Sequence, residues 1–283
     1  MRRLQSYTDG KVFASPGRCS YTRVVPQILR SRALAAATLA VVVVGCLVAC
    51  GSASPTAKPT RESSSSAPAE TPEPSPVAPP VRVAPVASSD PNDLSVVVNK
   101  LRPLAPANYA PADVVEVAVP YANQPFLRRE AADATVAMFA AFEAQTGLKM
   151  QAQSAYRSYS TQVSVYAGWV ASKGQAGADL TSARPGHSEH QTGLAIDISA
   201  LPAVCTLQAC FADTPQGQWL AANAVTYGFV LRYPAGGTPV TGYEFEPWHY
   251  RYVGVATAAD YAATGATTLE QYFGLPAAPT YAP

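Results

Sequence analysis

Apolar residues recur at steps of three and four between residues 127 and 142, which is the spacing of one face of a helix. These positions are Leu127, Ala131, Ala134, Met138 and Phe142. Gly147 follows the last of them and is a typical helix end. Residues 148–155 then alternate well enough to predict a strand, and residues 161–172 predict a second helix.

The second half of the chain contains further short elements of both kinds. Three short segments rich in apolar and aromatic residues predict strands, at residues 194–198, 229–231 and 248–252, and a helix is predicted at residues 217–227. Helices and strands do not alternate regularly along the chain. The pattern therefore predicts an α+β fold rather than a doubly wound sheet.

The first fifty residues have the pattern of a targeting segment. Arg23, Arg30 and Arg32 precede an uncharged run over residues 33–49, which is short for a bilayer span of ~20 residues and is typical of a secretion signal. The run ends in Leu47-Val48-Ala49-Cys50, which resembles the bacterial lipobox, and the resemblance implies lipidation of Cys50. An uncleaved membrane anchor is the alternative. Either way, we expect an exported protein held on the outer face of the cytoplasmic membrane.

A segment rich in Pro, Ser, Ala and Thr separates this signal from the rest of the chain. It has almost no large apolar side chain to bury, so it cannot offset its ordering entropy. We predict a targeting segment at residues 1–49, a disordered tether at residues 50–93 and one domain at residues 94–283. We expect this single domain to be a monomer.

Composition and charge limit the classes of ligand and reaction that the chain is expected to support. The net charge is +1, so nucleic-acid binding is not expected, and the cysteines form no C-x2-C pair of the kind that zinc fingers use. Cys205 and Cys210 are close in the sequence of an exported protein, which predicts a disulfide. Only three histidines, His187, His190 and His249, are available for metal or acid–base chemistry.

Two short motifs carry two of the histidines together with acidic residues. His190 and Asp197 would lie far apart on one straight strand, but Gly193 between them permits a turn that brings them together. Pro247 favours a turn that places Glu246 and His249 on one side. Two imidazoles and one carboxylate are the protein ligands of an open zinc site, and a second carboxylate can act as general base.

These motifs resemble those of a known family. Ser188-x-His190-x-x-Gly193-x-Ala195-x-Asp197 with Glu246-x-x-His249 is similar to the signature of the VanY-type D-alanyl-D-alanine carboxypeptidases, zinc peptidases of family M15, subfamily B. Ser154-Ala155-Tyr156-Arg157-Ser158, the downstream Gln162 and the segment from Asn99 to Leu104 are also similar to that family. The likeness extends over residues 94–276.

The resemblance implies a role for each matching residue. His190, Asp197 and His249 would bind one Zn²⁺ per chain, and Glu246 would be the catalytic base. Arg157 would engage the substrate or the developing oxyanion, with Gln162 and Ser188 as further substrate contacts. The implied fold is a Hedgehog/D,D-peptidase-like domain with a small antiparallel sheet flanked by helices. The implied substrate is the peptidoglycan stem peptide, from which the terminal D-alanine is removed.

Several alternatives stay open at this level. An L,D-carboxypeptidase, a D,D-dipeptidase and a non-catalytic module that binds the cell wall share these residues or this fold. His187 is expected at the rim of the site or behind it, and Glu189 is expected to orient its neighbours or to face solvent. A penicillin-type serine peptidase is excluded, because no S-x-x-K occurs in the chain, and a nucleophile elbow is absent, because no G-x-S-x-G occurs.

Overall fold

The structure, a computed structural model, describes residues 84–282. The predicted targeting segment, Cys50 and the tether up to residue 83 lie outside the described residues. Among the described residues, no helix combines the length and the apolar character needed to cross a membrane.

A four-stranded antiparallel sheet forms the centre of the domain. Its strands are β3 (Lys149–Ser154), β4 (Ala195–Leu201), β5 (Phe229–Leu231) and β6 (His249–Tyr252), in the spatial order β3-β4-β6-β5. Every neighbouring pair is antiparallel. This sheet, with the helices described below, confirms the predicted α+β class and the small antiparallel sheet flanked by helices.

The sheet is preceded by a short hairpin and a long helix. Strands β1 (Val114–Glu116) and β2 (Phe126–Arg128) pair antiparallel, and helix α1 (Arg129–Thr146) begins directly after β2. Leu127, predicted as the first residue of the helix face, therefore lies in β2. The other predicted positions are in α1, where Met138 and Phe142 join Ile196 and Ile198 of β4 in one buried core.

The second helix is longer than the sequence pattern predicts. Helix α2 (Tyr159–Thr181) begins after Ser158, whose side chain accepts a hydrogen bond from the backbone of Thr161. Its helical dihedrals are interrupted at Gly174, where φ is 70°, and it then continues as far as Thr181. The predicted helix end at residue 172 lies two residues before this interruption. Glycine adopts a positive φ at little cost, so the regular helical backbone is broken there.

The remaining helices follow at the end of the chain. Helix α3 (Pro215–Asn223) is extended by a 3-10 turn (Ala224–Tyr227), so the two together match the helix predicted at residues 217–227. The sequence pattern did not predict α4 (Thr238–Thr241), α5 (Val255–Thr264) or α6 (Leu269–Tyr272). A disulfide joins Cys205 and Cys210 between β4 and α3.

Residues that precede the predicted start of the domain at residue 94 contact the chain that follows. Arg102 Nη2 donates a hydrogen bond to the Ser88 carbonyl at 2.9 Å, and Ser88 N donates to the Ser95 carbonyl. Pro91 is buried. Ser88, which the composition assigns to the tether, is therefore hydrogen-bonded to residues of the predicted domain. The hydrogen bonds that hold Ser88 are made by residues further along the chain, which composition cannot show.

Candidate active site

Two of the candidate ligands are opposite each other on neighbouring strands. Asp197 of β4 pairs directly with His249 of β6 in the antiparallel register. Side chains of directly opposite residues lie on the same face of a sheet, close enough to interact. Asp197 Oδ1 lies 3.2 Å from His249 Nδ1. Strand pairing alone thus places one carboxylate against one imidazole, on the face opposite the Ile196 and Ile198 side chains.

His190 reaches the same place through a turn. It lies in a 3-10 turn (Glu189–Thr192) that ends at Gly193, where φ is 69°. This left-handed conformation reverses the chain into β4. His190 Nδ1 lies 2.8 Å from the Ala155 carbonyl, so the ring is held from behind. Its Nε2 faces Asp197 Oδ2 at 3.3 Å.

Glu246 is positioned by the turn that precedes β6. The backbone of His249 donates a hydrogen bond to the Glu246 carbonyl at 3.1 Å, which closes a turn with Pro247 at its second position. Glu246 Oε2 then lies 3.7 Å from His249 Nδ1. The structure therefore gathers His190, Asp197, His249 and Glu246 into one cluster.

The cluster fits a metal ion. One ligand atom each from His190, Asp197 and His249 can be chosen so that all lie within 4.8 Å of one another, and all three residues are buried. Asp197 Oδ1 makes no hydrogen bond to any described residue, although it is buried. Buried polar atoms normally have a partner, so an unsatisfied carboxylate oxygen among imidazole nitrogens fits the role of a metal ligand. Two His and one carboxylate are ligands that Zn²⁺ accepts.

The charges in the cluster shift the titration of its members. Burial opposes the negative charge of Asp197, but the two neighbouring imidazoles outweigh it and hold the pKa of Asp197 well below its usual range. Burial lowers the pKa of His190, and Asp197 offsets this only in part. Burial also disfavours the charged form of His249, yet Asp197 and Glu189 raise the pKa of His249 to about 9. The two histidines thus differ: His190 favours the neutral form and His249 the charged form.

Glu246 is unusual for a carboxyl group. Burial raises the pKa of Glu246 to about 8, with His249 acting against the shift and Asp197 adding to it. Its side chain is 11% exposed, so it remains in contact with the cleft described below. A carboxyl group that titrates near neutral pH can both accept and return a proton.

Arg157 lies beside the cluster and is fixed in place by its neighbours. Its Nη1 donates to Gln162 Oε1 at 2.9 Å, its Nη2 donates to Ser154 Oγ at 3.1 Å, and Nη2 lies 3.9 Å from Asp197 Oδ2. Gln162 is fully buried, and its amide also donates to the Ala183 carbonyl. Gln162 was predicted as a substrate contact, but in the structure it holds Arg157, because its side chain has no exposed surface.

The cluster opens into a cleft of about 400 Å³. The cleft is lined by the cluster, by Arg157 and Ser188, and by a wall that includes Trp169, Tyr233 and Trp248. Ser188 therefore lies where a substrate would be bound. His187 does not line the cleft: its Nδ1 lies 2.8 Å from the Asn99 carbonyl, and its ring packs edge-on against Tyr281.

Glu189 is part of a buried ionic network that the sequence did not reveal. Of its two expected alternatives, exposure to solvent is wrong, because the residue is 1% exposed. Glu189 Oε1 accepts hydrogen bonds from Arg232 Nε at 2.9 Å and Arg251 Nη1 at 3.1 Å. Arg232 is paired on its other side with Glu270. The sequence signals for this network were Glu189 next to the motif and Arg251 within a predicted strand.

The site is a buried His/Asp/His cluster with a carboxyl group beside it, and it lies at a cleft. Metal-dependent hydrolases use sites of this kind. Comparison with known proteins agrees with this class. The model of the VanY family, D-alanyl-D-alanine carboxypeptidase, matches residues 124–255. YodJ of Bacillus subtilis, assigned as a carboxypeptidase, is 41% identical over 189 residues, which cover 65% of this chain and 68% of YodJ.

Solved structures agree with this result. The LD-carboxypeptidase LdcB has a TM-score of 0.60 and 40% identity, over 65% of this chain and 87% of LdcB. A variant of the vancomycin-resistance D,D-pentapeptidase VanY, from a VanB-type cassette and in complex with Zn(II), has a TM-score of 0.52 and 29% identity, over 62% of this chain and 97% of VanY. The chain described here belongs to the VanY carboxypeptidase family.

Proposed function

We propose that this protein is a zinc-dependent carboxypeptidase that removes the terminal D-alanine from peptidoglycan stem peptides. The observation that carries the proposal is the cluster of His190, Asp197 and His249, with the Glu246 carboxyl group beside it at the floor of the cleft. Membership of the VanY family supports the reaction class.

The three cluster residues would hold the zinc ion, one per chain. His190 would bind through Nε2 and His249 through Nδ1, because these nitrogens face the Asp197 carboxylate. Three protein ligands would leave room for a water molecule on the ion, as catalytic zinc sites require. When bound, the ion supplies Lewis-acid chemistry, which lowers the pKa of a water molecule and polarises a carbonyl group.

Glu246 carries out the proton transfers. As a carboxylate it takes a proton from the attacking water, and as a carboxylic acid it then gives that proton to the amide nitrogen of the departing amino acid. Its place beside His249 at the cleft suits both halves of this exchange. A module that only binds the cell wall needs no such base, so Glu246 disfavours that alternative.

The guanidinium group of Arg157 supplies a positive charge that can stabilise negative charge on the substrate. Its guanidinium group lies at the edge of the cluster, held by Gln162 and Ser154. From this position it can stabilise the oxygen of the scissile carbonyl as negative charge develops, or it can bind the terminal carboxylate of the peptide. Both tasks require the fixed orientation that its two hydrogen bonds provide.

Two specificities are supported by particular observations. A D,D-carboxypeptidase acts on the pentapeptide stem, and the matching family model bears the name of that activity. An L,D-carboxypeptidase acts on the tetrapeptide stem, and LdcB exceeds VanY both in identity and in TM-score. In each case the released residue is D-alanine.

We also propose that the protein is a monomeric lipoprotein on the outer face of the membrane. The support is the sequence Leu47-Val48-Ala49-Cys50 after the uncharged run at residues 33–49. Attachment of acyl chains to Cys50 would provide a stable anchor. Cys50→Ser is expected to abolish incorporation of labelled fatty acid. Unchanged labelling of that variant would contradict the lipid anchor.

A panel of defined stem peptides tests the proposed activity. Zinc-loaded protein is incubated with tri-, tetra- and pentapeptides, and the products are identified by mass spectrometry. We expect release of a single D-alanine from the pentapeptide, or from the tetrapeptide if the specificity is L,D. Glu246→Gln with equal zinc content should lose roughly 10²- to 10⁴-fold in rate. Cleavage of the free dipeptide D-Ala-D-Ala in the same assay, with no release from the stem peptides, would indicate a D,D-dipeptidase instead. No cleavage of any of these peptides would contradict the proposal.

A further inference from the structure

Glu189 contacts a candidate metal ligand that is not its neighbour in the sequence. It directly precedes His190, yet its carboxylate lies beside His249, with Oε2 3.6 Å from His249 Nε2. That nitrogen is on the opposite side of the imidazole from Nδ1, which faces Asp197. The ring of His249 therefore lies between two carboxylates, one at each nitrogen.

Both atoms of this contact lack any other partner. Glu189 Oε2 and His249 Nε2 are buried, and neither makes a hydrogen bond to any residue in the described part of the chain. The distance of 3.6 Å is slightly too long for a hydrogen bond. A small movement of the His249 ring would bring the two atoms within hydrogen-bond distance of each other. A buried polar atom without a partner is destabilising, so both atoms gain from this contact.

The rest of the network fixes the orientation of Glu189. Its Oε1 is occupied by Arg232 and Arg251, both fully buried. Arg251 also donates to the carbonyl groups of Leu94 and Val96. Arg232 forms two hydrogen bonds with Glu270, which in turn accepts one from Asn99. Because Oε1 is held in this way, Oε2 is directed at His249.

We infer that Glu189 is a positioning residue that accepts the Nε2 proton of His249 and thereby leaves the Nδ1 lone pair free for the metal ion. The inference rests on the zinc site of the proposed function and adds a residue to it. Histidine ligands of metals usually donate their other N–H group to a carboxylate or carbonyl, which fixes the tautomer and the ring orientation. His190 is held differently, since its Nδ1 faces the Ala155 carbonyl and its Nε2 faces the cluster.

Replacement of Glu189 by glutamine tests this role with little change in shape. The two arginines would retain the amide oxygen as their acceptor, so the NH2 group would be turned toward His249 Nε2. An NH2 group needs an acceptor there, which favours the tautomer of His249 with its proton on Nδ1. That tautomer cannot bind a metal through Nδ1.

The measurement is zinc affinity by competition with a chromophoric chelator, in the absence of substrate and at pH 9 or above, where a proton on His249 competes least with the metal ion. Glu189→Gln is expected to weaken zinc binding by about 10- to 100-fold. Glu270→Gln is the matched control, because it removes the same charge from the same network on the far side of Arg232. Both variants should be destabilised, but Glu270→Gln should retain the zinc affinity of the wild type. Equal affinity in Glu189→Gln and wild type, or an equal loss in both variants, would overturn the inference.

A second measurement needs no variant and so does not depend on folding of Glu189→Gln. Nitrogen-15 NMR of the zinc-loaded wild type is expected to show His249 bound through Nδ1 with a proton on Nε2, and His190 bound through Nε2. His249 bound through Nε2 would overturn the role of Glu189. A wild-type protein that takes up no zinc would overturn the proposed function and this inference together. Zinc binding with unchanged affinity in Glu189→Gln would overturn the inference alone.

Discussion

At the scale of single residues, His249 is the side chain on which most of the charges in the site converge. It is opposite Asp197 across the sheet, three residues after Glu246, and beside Glu189. These carboxylates favour its protonated form, so in metal-free protein it carries a positive charge at neutral pH. Metal binding through Nδ1 must displace that proton, which links zinc affinity to pH.

The pH dependence of zinc affinity follows from the sign of this shift. The pKa of His249 is raised from 6.5 to about 9, so below pH 9 zinc competes with a proton. The affinity is expected to rise by roughly tenfold per pH unit between pH 7 and 9 and to level off above pH 9. Chelator competition at several pH values measures it. An affinity that does not change with pH over this range would contradict the raised pKa.

The same shift affects the stability of the metal-free protein. The stability contributed by the protonated His249 is fully present below pH 6.5 and is lost as the pH rises through about 9. Glu246, whose pKa is raised from 4.5 to about 8, acts in the same direction. The Tm of metal-free protein should therefore fall between pH 6.5 and 9, as measured by thermal unfolding. A constant or rising Tm would contradict both shifts.

The sequence predicted individual residues where a short-range pattern specified them. His190, Asp197, Glu246 and His249 come from two motifs whose turns depend on nearby Gly193 and Pro247. Gln162 and Glu189 were assigned less well, because their surroundings come from distant parts of the chain. Glu189, for example, is held by arginines more than 40 positions away. No local pattern contains that information.

At the scale of elements, the turn between His190 and β4 determines whether the candidate ligands meet. Gly193 ends the 3-10 turn with φ 69°, and its carbonyl accepts a hydrogen bond from Arg128 N at 2.9 Å. A Cβ at this position would lie 3.1 Å from Arg128 Cγ, 3.2 Å from Val114 Cγ1 and 3.3 Å from Pro111 Cγ. Both the backbone angle and the crowding therefore require glycine.

Substitution of Gly193 by alanine tests this requirement. The left-handed angle costs about 1–2 kcal/mol for a residue with a Cβ, and crowding against three neighbours adds to that cost. Gly265→Ala is the control, because Gly265 has φ 71° and no atom within 4 Å of a Cβ. Gly193→Ala should lower the Tm more than Gly265→Ala and should also weaken zinc binding. Equal effects of the two substitutions would contradict a specific role for this turn.

Helices and strands were predicted well where one spacing of apolar residues dominated the segment. The central strands and α1 follow clear apolar patterns, so their places were given to within a few residues. The β1–β2 hairpin was not predicted, because each strand has only three residues and Leu127 fits the helical spacing equally well. The part of α2 beyond Gly174 was also not predicted, because its glycines and polar residues resemble a loop in sequence alone.

At the scale of the whole molecule, the domain holds a charged site within a buried ionic framework. The network connects the turn that carries His190, the residue after β5, strand β6 and helix α6. Its members are Glu189, Arg232, Arg251 and Glu270. Two carboxylates balance two guanidinium groups, so none of the four charges is buried without a partner. The site residues are thereby attached to a rigid part of the fold, which is what a preorganised catalytic centre needs.

The central claim is that one zinc ion, bound by His190, Asp197 and His249, is required for release of the terminal residue. Metal is removed from the protein with a chelator, and zinc is titrated back. The substrate is the stem peptide that the panel shows to be cleaved, and the released D-alanine is measured. We predict no activity without metal, recovery that is complete at one zinc per chain, and no recovery for His190→Ala at the same zinc concentrations. Full activity in the stripped protein, or equal recovery in His190→Ala, would contradict the claim.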